Sequence, residues 1–188
     1  MADVGTGQVT DADLVARCRT GDREAWNELV QRFSRYVYAI ATQAFRLDPS
    51  DSEDVFQDVF ARVFERLPSL RNDEAIRPWI AQTTRNCCLD RLRAGDRETP
   101  TAELADLEAE DEIARLDVAF EVRQGLAALS DECREVLDRF FCRDESYRTI
   151  ASELEIPAGT IASRISRCLD KLRFELTGRK DAVGSSSE

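Results

Sequence analysis

Histidine is absent from this 188-residue chain, and its six cysteines (Cys18, Cys87, Cys88, Cys133, Cys142, Cys168) include no C-x-x-C pair. The commonest general base and the nitrogen half of a mixed zinc site are therefore missing. No constellation for nucleophilic, hydrolytic or metal-assisted chemistry stands out, although carboxylate chemistry stays formally open. No catalytic residue, metal, cofactor or small-molecule substrate is expected, and the scattered cysteines read as buried, reduced thiols. Also lacking are a secretory apolar core and any apolar run near the roughly 20 residues that span a bilayer. A soluble, cytoplasmic protein without membrane insertion is expected. With 43% apolar residues, packed cores rather than disorder are predicted, in one ordinary domain or two small ones.

Positive charge is scarce overall, with a net charge of -11. The deficit is local. Residues 98–117 hold eight acids against the single base Arg115, a balance of -7, so only -4 is left for the rest. This stretch contains Thr99, Pro100 and Thr101, lacks sustained apolar periodicity at its start, and reads as an acidic linker between two compact helical segments.

The predicted fold is all-α: two small helical domains joined by that linker. Residues 1–10 are expected to be a flexible start, 11–97 the first domain, 118–177 the second, and 178–188 a flexible tail. Thr10 and Asp13 suit the cap of a helix ending near Arg19, and Gly21-Asp22 breaks the chain. A longer helix follows, with Trp26, Leu29, Val30, Phe33, Val37, Ile40 and Ala44 at three- and four-residue spacing. Ser50-Asp51-Ser52-Glu53 has the form of a capping box, opening a helix whose apolar face is Val55, Phe56, Val59, Phe60, Val63, Phe64 and Leu67, with Pro68 ending it. Its other face carries Glu53, Asp54, Gln57 and Asp58, which favours the positive end of the helix dipole and suits either water or a basic partner.

A polar loop over 70–76 precedes a helix opened by Pro78 and running to about Ala94. Six arginines against four acids between residues 71 and 97 give a balance of +2. Aromatic, amide and guanidinium groups interleave here, a mixture that suits stacking on unpaired bases while arginine holds the backbone. Trp79 fits a core position equally well. Beyond the linker, Val118, Phe120, Val122, Leu126 and Leu129 form a helix ending near Ser130, which is placed to cap a helix holding Val136, Leu137, Phe140 and Phe141.

Residues 146–174 then carry two short helical patterns joined by a tight turn. Ile150, Leu154, Ile156, Ile161 and Ile165 fall where two crossing helices bury against each other, and small Ala151 permits close approach. Pro157 suits the first position of the second helix. From there to residue 180, six bases face two acids, a balance of +4. The pattern is a helix-turn-helix with the charge that phosphate requires. Glycine is missing from its turn, where Glu155 must take the left-handed backbone at a cost of about 1 kcal/mol.

In order and across nearly the whole chain, these pieces resemble the bacterial extracytoplasmic-function sigma factors of RNA polymerase. Gly21-Asp22 before Ala25-Trp26, Glu53-Asp54-Val55-Phe56-Gln57-Asp58, and Arg77-Pro78-Trp79-Ile80 leading to Arg85-Asn86 are similar to that family's second conserved region. Leu129-Ser130 through Glu135-Val136-Leu137, Ser146-Tyr147, and Ile156-Pro157-Ala158-Gly159-Thr160-Ile161 through Ser163-Arg164 to Arg167 are similar to its fourth. The resemblance implies a promoter-specificity subunit with two partners, core RNA polymerase and promoter DNA. Glu53, Asp54, Gln57 and Asp58 would dock on the clamp helices of the largest polymerase subunit. The 70–76 loop, with Arg71, Asn72 and Asp73, would capture a flipped base of the minus-ten element. Arg77, Trp79, Gln82, Arg85 and Asn86 would lie on or near the strand-opening helix. Thr160, Ser163, Arg164, Arg167 and Lys171 would meet the minus-thirty-five element, with Arg167 as the base reader.

The resemblance also implies an anti-sigma factor as a partner. It leaves the acidic linker two readings, a soluble tether or a segment suited to positive surfaces of polymerase. Ala162 and Ser166 depart from the residues usual in the family, so one phosphate contact is expected to be absent and the promoter sequence is left open. Neither a long C-terminal regulatory extension nor a fused zinc-binding inhibitor is expected. Two other classes remain: a dimeric helix-turn-helix regulator acting without polymerase, and a helical adaptor whose basic helix docks on an acidic protein. An acidic docking helix beside a tryptophan-bearing basic helix favours the sigma subunit over the regulator.

Overall fold

The computed structural model describes residues 9–95 and 101–184, with side chains for 9–94 and 105–177. The expectations for residues 1–8, 96–100 and 185–188 lie outside the described residues. The chain divides into two compact units, Met1–Val118 and Ala119–Glu188. Among the described residues all regular structure is helical.

In the first unit, Thr10 caps α1 (Asp11–Arg19) with the predicted reciprocal box: its hydroxyl accepts from the Asp13 amide at 3.1 Å, and the Asp13 carboxylate accepts from the Thr10 amide at 3.3 Å. The backbone carbonyl of Val9 accepts from Arg32 at 3.0 Å, so the last two residues of the expected flexible start are tied down. Gly21 takes φ +82°, the left-handed conformation that ends α1 cheaply. Asp22 then caps α2 (Arg23–Ala39), accepting from the amides of Glu24 and Ala25. The Ala25 amide and the Arg17 guanidinium hold its carboxyl below the ordinary range. Helix α2 passes into one π-helical turn, Ile40–Ala44. Its predicted face is buried at Leu29, Phe33, Val37, Ile40 and Ala44.

Helix α3 (Pro49–Arg66) starts before the predicted box. Asp48 is the cap, accepting from the Asp51 amide at 2.9 Å, with Pro49 in the first turn. Ser50 lies inside that first turn and so cannot cap it. The buried stripe is also narrower than predicted, because Val55, Val59, Val63 and Leu67 take the core while Phe64 stays exposed. The phenylalanines form a shoulder of aromatic contacts, Tyr38–Phe56 at 4.8 Å and Trp26–Phe64 at 5.0 Å. Pro68 sits in a 3-10 turn, Leu67–Ser69, that closes α3. A second 3-10 turn, Asp73–Ala75, leads into α4 (Ile76–Gly95), whose first turn holds Pro78.

The acidic stretch departs from expectation. From residue 101 it is helical: α5 (Thr101–Ala128) continues without a break into the helix expected from Val118. Alanine, leucine and glutamate dominate the segment, and their intrinsic helix preference outweighs the missing apolar periodicity.

The second unit contains the end of α5, α6 (Asp131–Phe141), α7 (Tyr147–Glu153) and α8 (Ala158–Gly184). Its core is Leu129, Cys133, Val136, Leu137, Ile150, Ala151, Ile161, Ile165 and Cys168, flanked by half-buried Leu154 and Ile156. Ser130 occupies the cap position of α6 but its hydroxyl makes no capping bond. Arg139 on α6 reaches Glu135 and Glu145 at 3.1 Å and Glu153 at 3.4 Å, fastening the entry to α7. Pro157 precedes α8 rather than opening it, and the backbone stays helical to Gly184, past the start of the expected tail at residue 178.

Glu155 adopts φ +53°, as the missing glycine requires. Glu155→Gly is therefore expected to stabilise this unit by about 0.5 to 1 kcal/mol. An unchanged or lowered melting temperature would contradict that origin of strain.

The cysteines correct the expectation of six buried, reduced thiols. Cys133 and Cys168 are joined by a disulfide between α6 and α8, and Cys142 is exposed. Partners 35 residues apart leave no trace in spacing. Burial pushes the thiols of Cys18 and Cys87 up to about 11 and that of Cys88 to about 12. Native maleimide labelling followed by mass spectrometry should modify Cys142 first and leave those three untouched. Rapid labelling of Cys87 or Cys88 would contradict this packing.

Candidate nucleic-acid interface

Three surfaces arise from the helices that bear them. On α3 the valine stripe faces the core, so the residues between turn outward: Glu53, Asp54, Gln57 and Asp58 are all exposed. This face is not wholly open. Arg91 of α4 is ion-paired with Asp54 and lies 2.7 Å from Asp51, while Arg62 reaches Asp90 at 3.4 Å. Arg91 escapes sequence reasoning because its partners are 37 and 40 residues away.

On the second surface, Arg71 and Asn72 are exposed, and the Asn72 side chain accepts from the Glu74 amide at 3.0 Å, capping the 3-10 turn. Asp73 points back into the first unit, 2.6 Å from Arg19, which also donates to the Leu70 carbonyl. Arg19 of α1 thus anchors the first half of the 70–76 loop, at Leu70 and Asp73.

The α4 residues divide into two sets. Gln82 and Asn86 are exposed and hydrogen-bonded to each other at 3.0 Å, one turn apart, with half-buried Trp79 on the same side of the helix. Arg77 and Arg85 instead meet acids of α5, Arg77 3.7 Å from Asp117 and Arg85 2.6 Å from Asp106. The sequence placed all five in one cluster and did not foresee this division. The Asp117 carboxylate also accepts from the hydroxyl of Tyr36, whose pKa is pushed up by burial and by that bond.

The third surface is the start of α8. Thr160, Ser163, Arg164, Arg167 and Lys171 recur at three- and four-residue steps, forming one stripe beside the buried Ile161, Ile165 and Cys168. Ser163 donates to the Thr160 carbonyl at 2.9 Å, and the Nε of the exposed Arg167 donates to the Ser163 carbonyl at 3.2 Å. The Thr160 amide already donates to the Pro157 carbonyl at 2.8 Å. Only the amides before it remain for a phosphate. Lys171 borders a recess shared with Asp170, Phe174 and Glu175.

Among the described residues no cluster of histidine, cysteine or carboxylate side chains could hold a metal ion, and no helix is long and apolar enough to cross a membrane.

Comparison with known proteins adds sequence likeness to this geometry. The Sigma-70 region 2 profile matches residues 29–98, and the Sigma-70, region 4 profile matches residues 125–173. The ECF RNA polymerase sigma factor SigM of Mycobacterium tuberculosis (strain H37Rv) is 31% identical over 169 residues, covering 89% of this chain and 85% of SigM. The ECF RNA polymerase sigma-E factor of Escherichia coli (strain K12) is 31% identical over 181 residues, covering 88% of this chain and 93% of the relative. A chain of the solved structure of CnrH in complex with the cytosolic domain of CnrY aligns at 25% identity and a TM-score of 0.40, covering 89% of this chain and 97% of that one.

Proposed function

Because the chain belongs to the extracytoplasmic-function RNA polymerase sigma factors, whose work is promoter-specific transcription initiation, we propose how its surfaces divide that work. Residues 11–97 act as region 2 and 118–177 as region 4. The exposed face of α3, with Glu53, Asp54, Gln57 and Asp58, docks on a basic surface of core polymerase. Arg71 and Asn72 at the loop, with Trp79, Gln82 and Asn86 on α4, take up the opened minus-ten strand, where an aromatic face and amides stack and bond to unpaired bases while Arg77 and Arg85 hold the backbone. Asp73 positions the loop through Arg19.

The α8 stripe enters the major groove at the minus-thirty-five element. Arg167 reads a base edge there, and Thr160, Ser163, Arg164 and Lys171 position the helix on phosphates. The protein works in the cytoplasm, performs no chemistry of its own, and is held in check by an anti-sigma factor, the last point resting on family resemblance alone.

One observation carries this reading: an outward acidic helix face and a basic helix stripe lie on separate units of one chain. A free-standing operator-binding regulator has no use for the first. Gel filtration of the chain with core polymerase tests the proposal. Co-elution that weakens with salt is expected, whereas separate elution together with unaided, tight binding to duplex operators would overturn it.

A further inference from the structure

The two arginines proposed to hold the minus-ten strand are already occupied. Arg85 meets Asp106 through both of its terminal contacts, Nε to one carboxylate oxygen at 2.6 Å and a second nitrogen to the other at 2.7 Å. Arg77 lies 3.7 Å from Asp117, three turns further along α5. Tyr36, almost wholly buried in α2, donates its hydroxyl to the same Asp117 and so fixes the carboxylate that Arg77 faces. All of these residues lie within the first unit, and Ala109, between the two aspartates, is fully buried. Carboxylates spaced along a helix present to arginine what phosphates spaced along a strand present, negative oxygens in a row.

We propose that the acidic part of α5 is an intramolecular occupant of the minus-ten surface: Asp106 and Asp117 hold Arg85 and Arg77 in the free protein and must leave them before single-stranded DNA binds. The inference rests on the assignment of these arginines to DNA. It gives the acidic segment a task besides tethering, and it makes DNA binding by the isolated chain weak by construction. Polymerase, docking on α3 as proposed above, would meet a chain whose strand-binding face opens only when α5 is drawn away. Arg77 and Arg85 are half-buried in their pairs, so a strand must exchange one ionic partner for another rather than gain a new one.

The test uses the full chain and a fluorescein-labelled single-stranded oligothymidylate, with binding read by anisotropy. The double variant Asp106→Asn/Asp117→Asn keeps an acceptor for Tyr36 and removes both charges. Glu110→Gln/Asp111→Asn, exposed positions of the same helix, changes net charge by the same amount and serves as the control. The first variant should bind about tenfold more tightly than the control, and Arg85→Ala added to it should abolish most of the gain. Equal affinity of the two variants would overturn the proposal.

Hydrogen exchange on the unaltered chain supplies a measurement that no misfolded variant can confuse. Saturating oligonucleotide should speed exchange of amides in 105–118; unchanged exchange there, with α4 protected, would equally overturn it. Reconstituted transcription with the same preparations separates the two levels. Promoter-specific transcripts with equal affinities remove the occupancy and leave the function standing, whereas no association with polymerase removes the function itself.

Discussion

Asp54→Arg is expected to abolish association with core RNA polymerase while leaving the fold intact. The side chain stands on the outward face of α3, and the residues that anchor that helix, Val55, Val59 and Val63, lie on the other side and are untouched. In the unaltered chain the carboxylate is ion-paired with Arg91, at a position where both partners are well exposed to water. Losing such a pair costs at most about 1 kcal/mol of stability. The new guanidinium adds repulsion against Arg91 of similar size, so the melting temperature should fall by only a few degrees.

The docking surface is affected far more, because a basic partner that met a carboxylate now meets a cation. Charge reversal in a complementary interface costs on the order of 2 to 5 kcal/mol, which is at least about thirtyfold in affinity. Titration of labelled variant against core polymerase, beside a circular dichroism melt, separates the two effects. Undiminished binding by a folded variant would remove Asp54 from the docking face.

Arg167→Ala is expected to lose discrimination at one position of the minus-thirty-five element. Arg167 is exposed, and its Nε bond to the Ser163 carbonyl lies within one helix, so removing it costs the second unit little stability. A guanidinium that reads guanine through two parallel bonds contributes about 1 to 3 kcal/mol against the wrong base. Transcription from promoters carrying each of the four bases at every minus-thirty-five position should show preference collapsing at a single site by roughly tenfold or more, with the other positions unchanged. A uniform loss across all templates would instead make Arg167 a phosphate contact and would lower the salt slope of binding.

Much of this was legible because the relevant physics is local. The Thr10–Asp13 box, the Gly21 break, the buried faces of α2 and α7 and the left-handed Glu155 all follow from residues within four positions of each other. The α3 and α8 surfaces were legible for the same reason, since one helix face is a periodicity. What failed was long-range or depended on competition between weak preferences. The S-x-x-E pattern lost to Asp48-Pro49, an equally local but stronger start. The acidic segment lacked periodicity and is helical through composition. The Cys133–Cys168 bond, the Arg19 anchor on the 70–76 loop, the Arg91 pair with Asp54 and the capture of Arg77 and Arg85 by α5 join residues between 21 and 54 positions apart. No spacing rule reaches that far. Those contacts also sort the proposed minus-ten residues into an outward set and an occupied set, a distinction that charge counting could not draw.

The most direct test of the account reconstitutes purified chain with core RNA polymerase on a library of genomic fragments and sequences the transcripts. Initiation that depends on the chain, at a discrete group of start sites preceded by two shared elements one region apart, is the predicted result. Transcripts indistinguishable from those of core polymerase alone, from a chain that is folded and binds duplex fragments by itself, would contradict it.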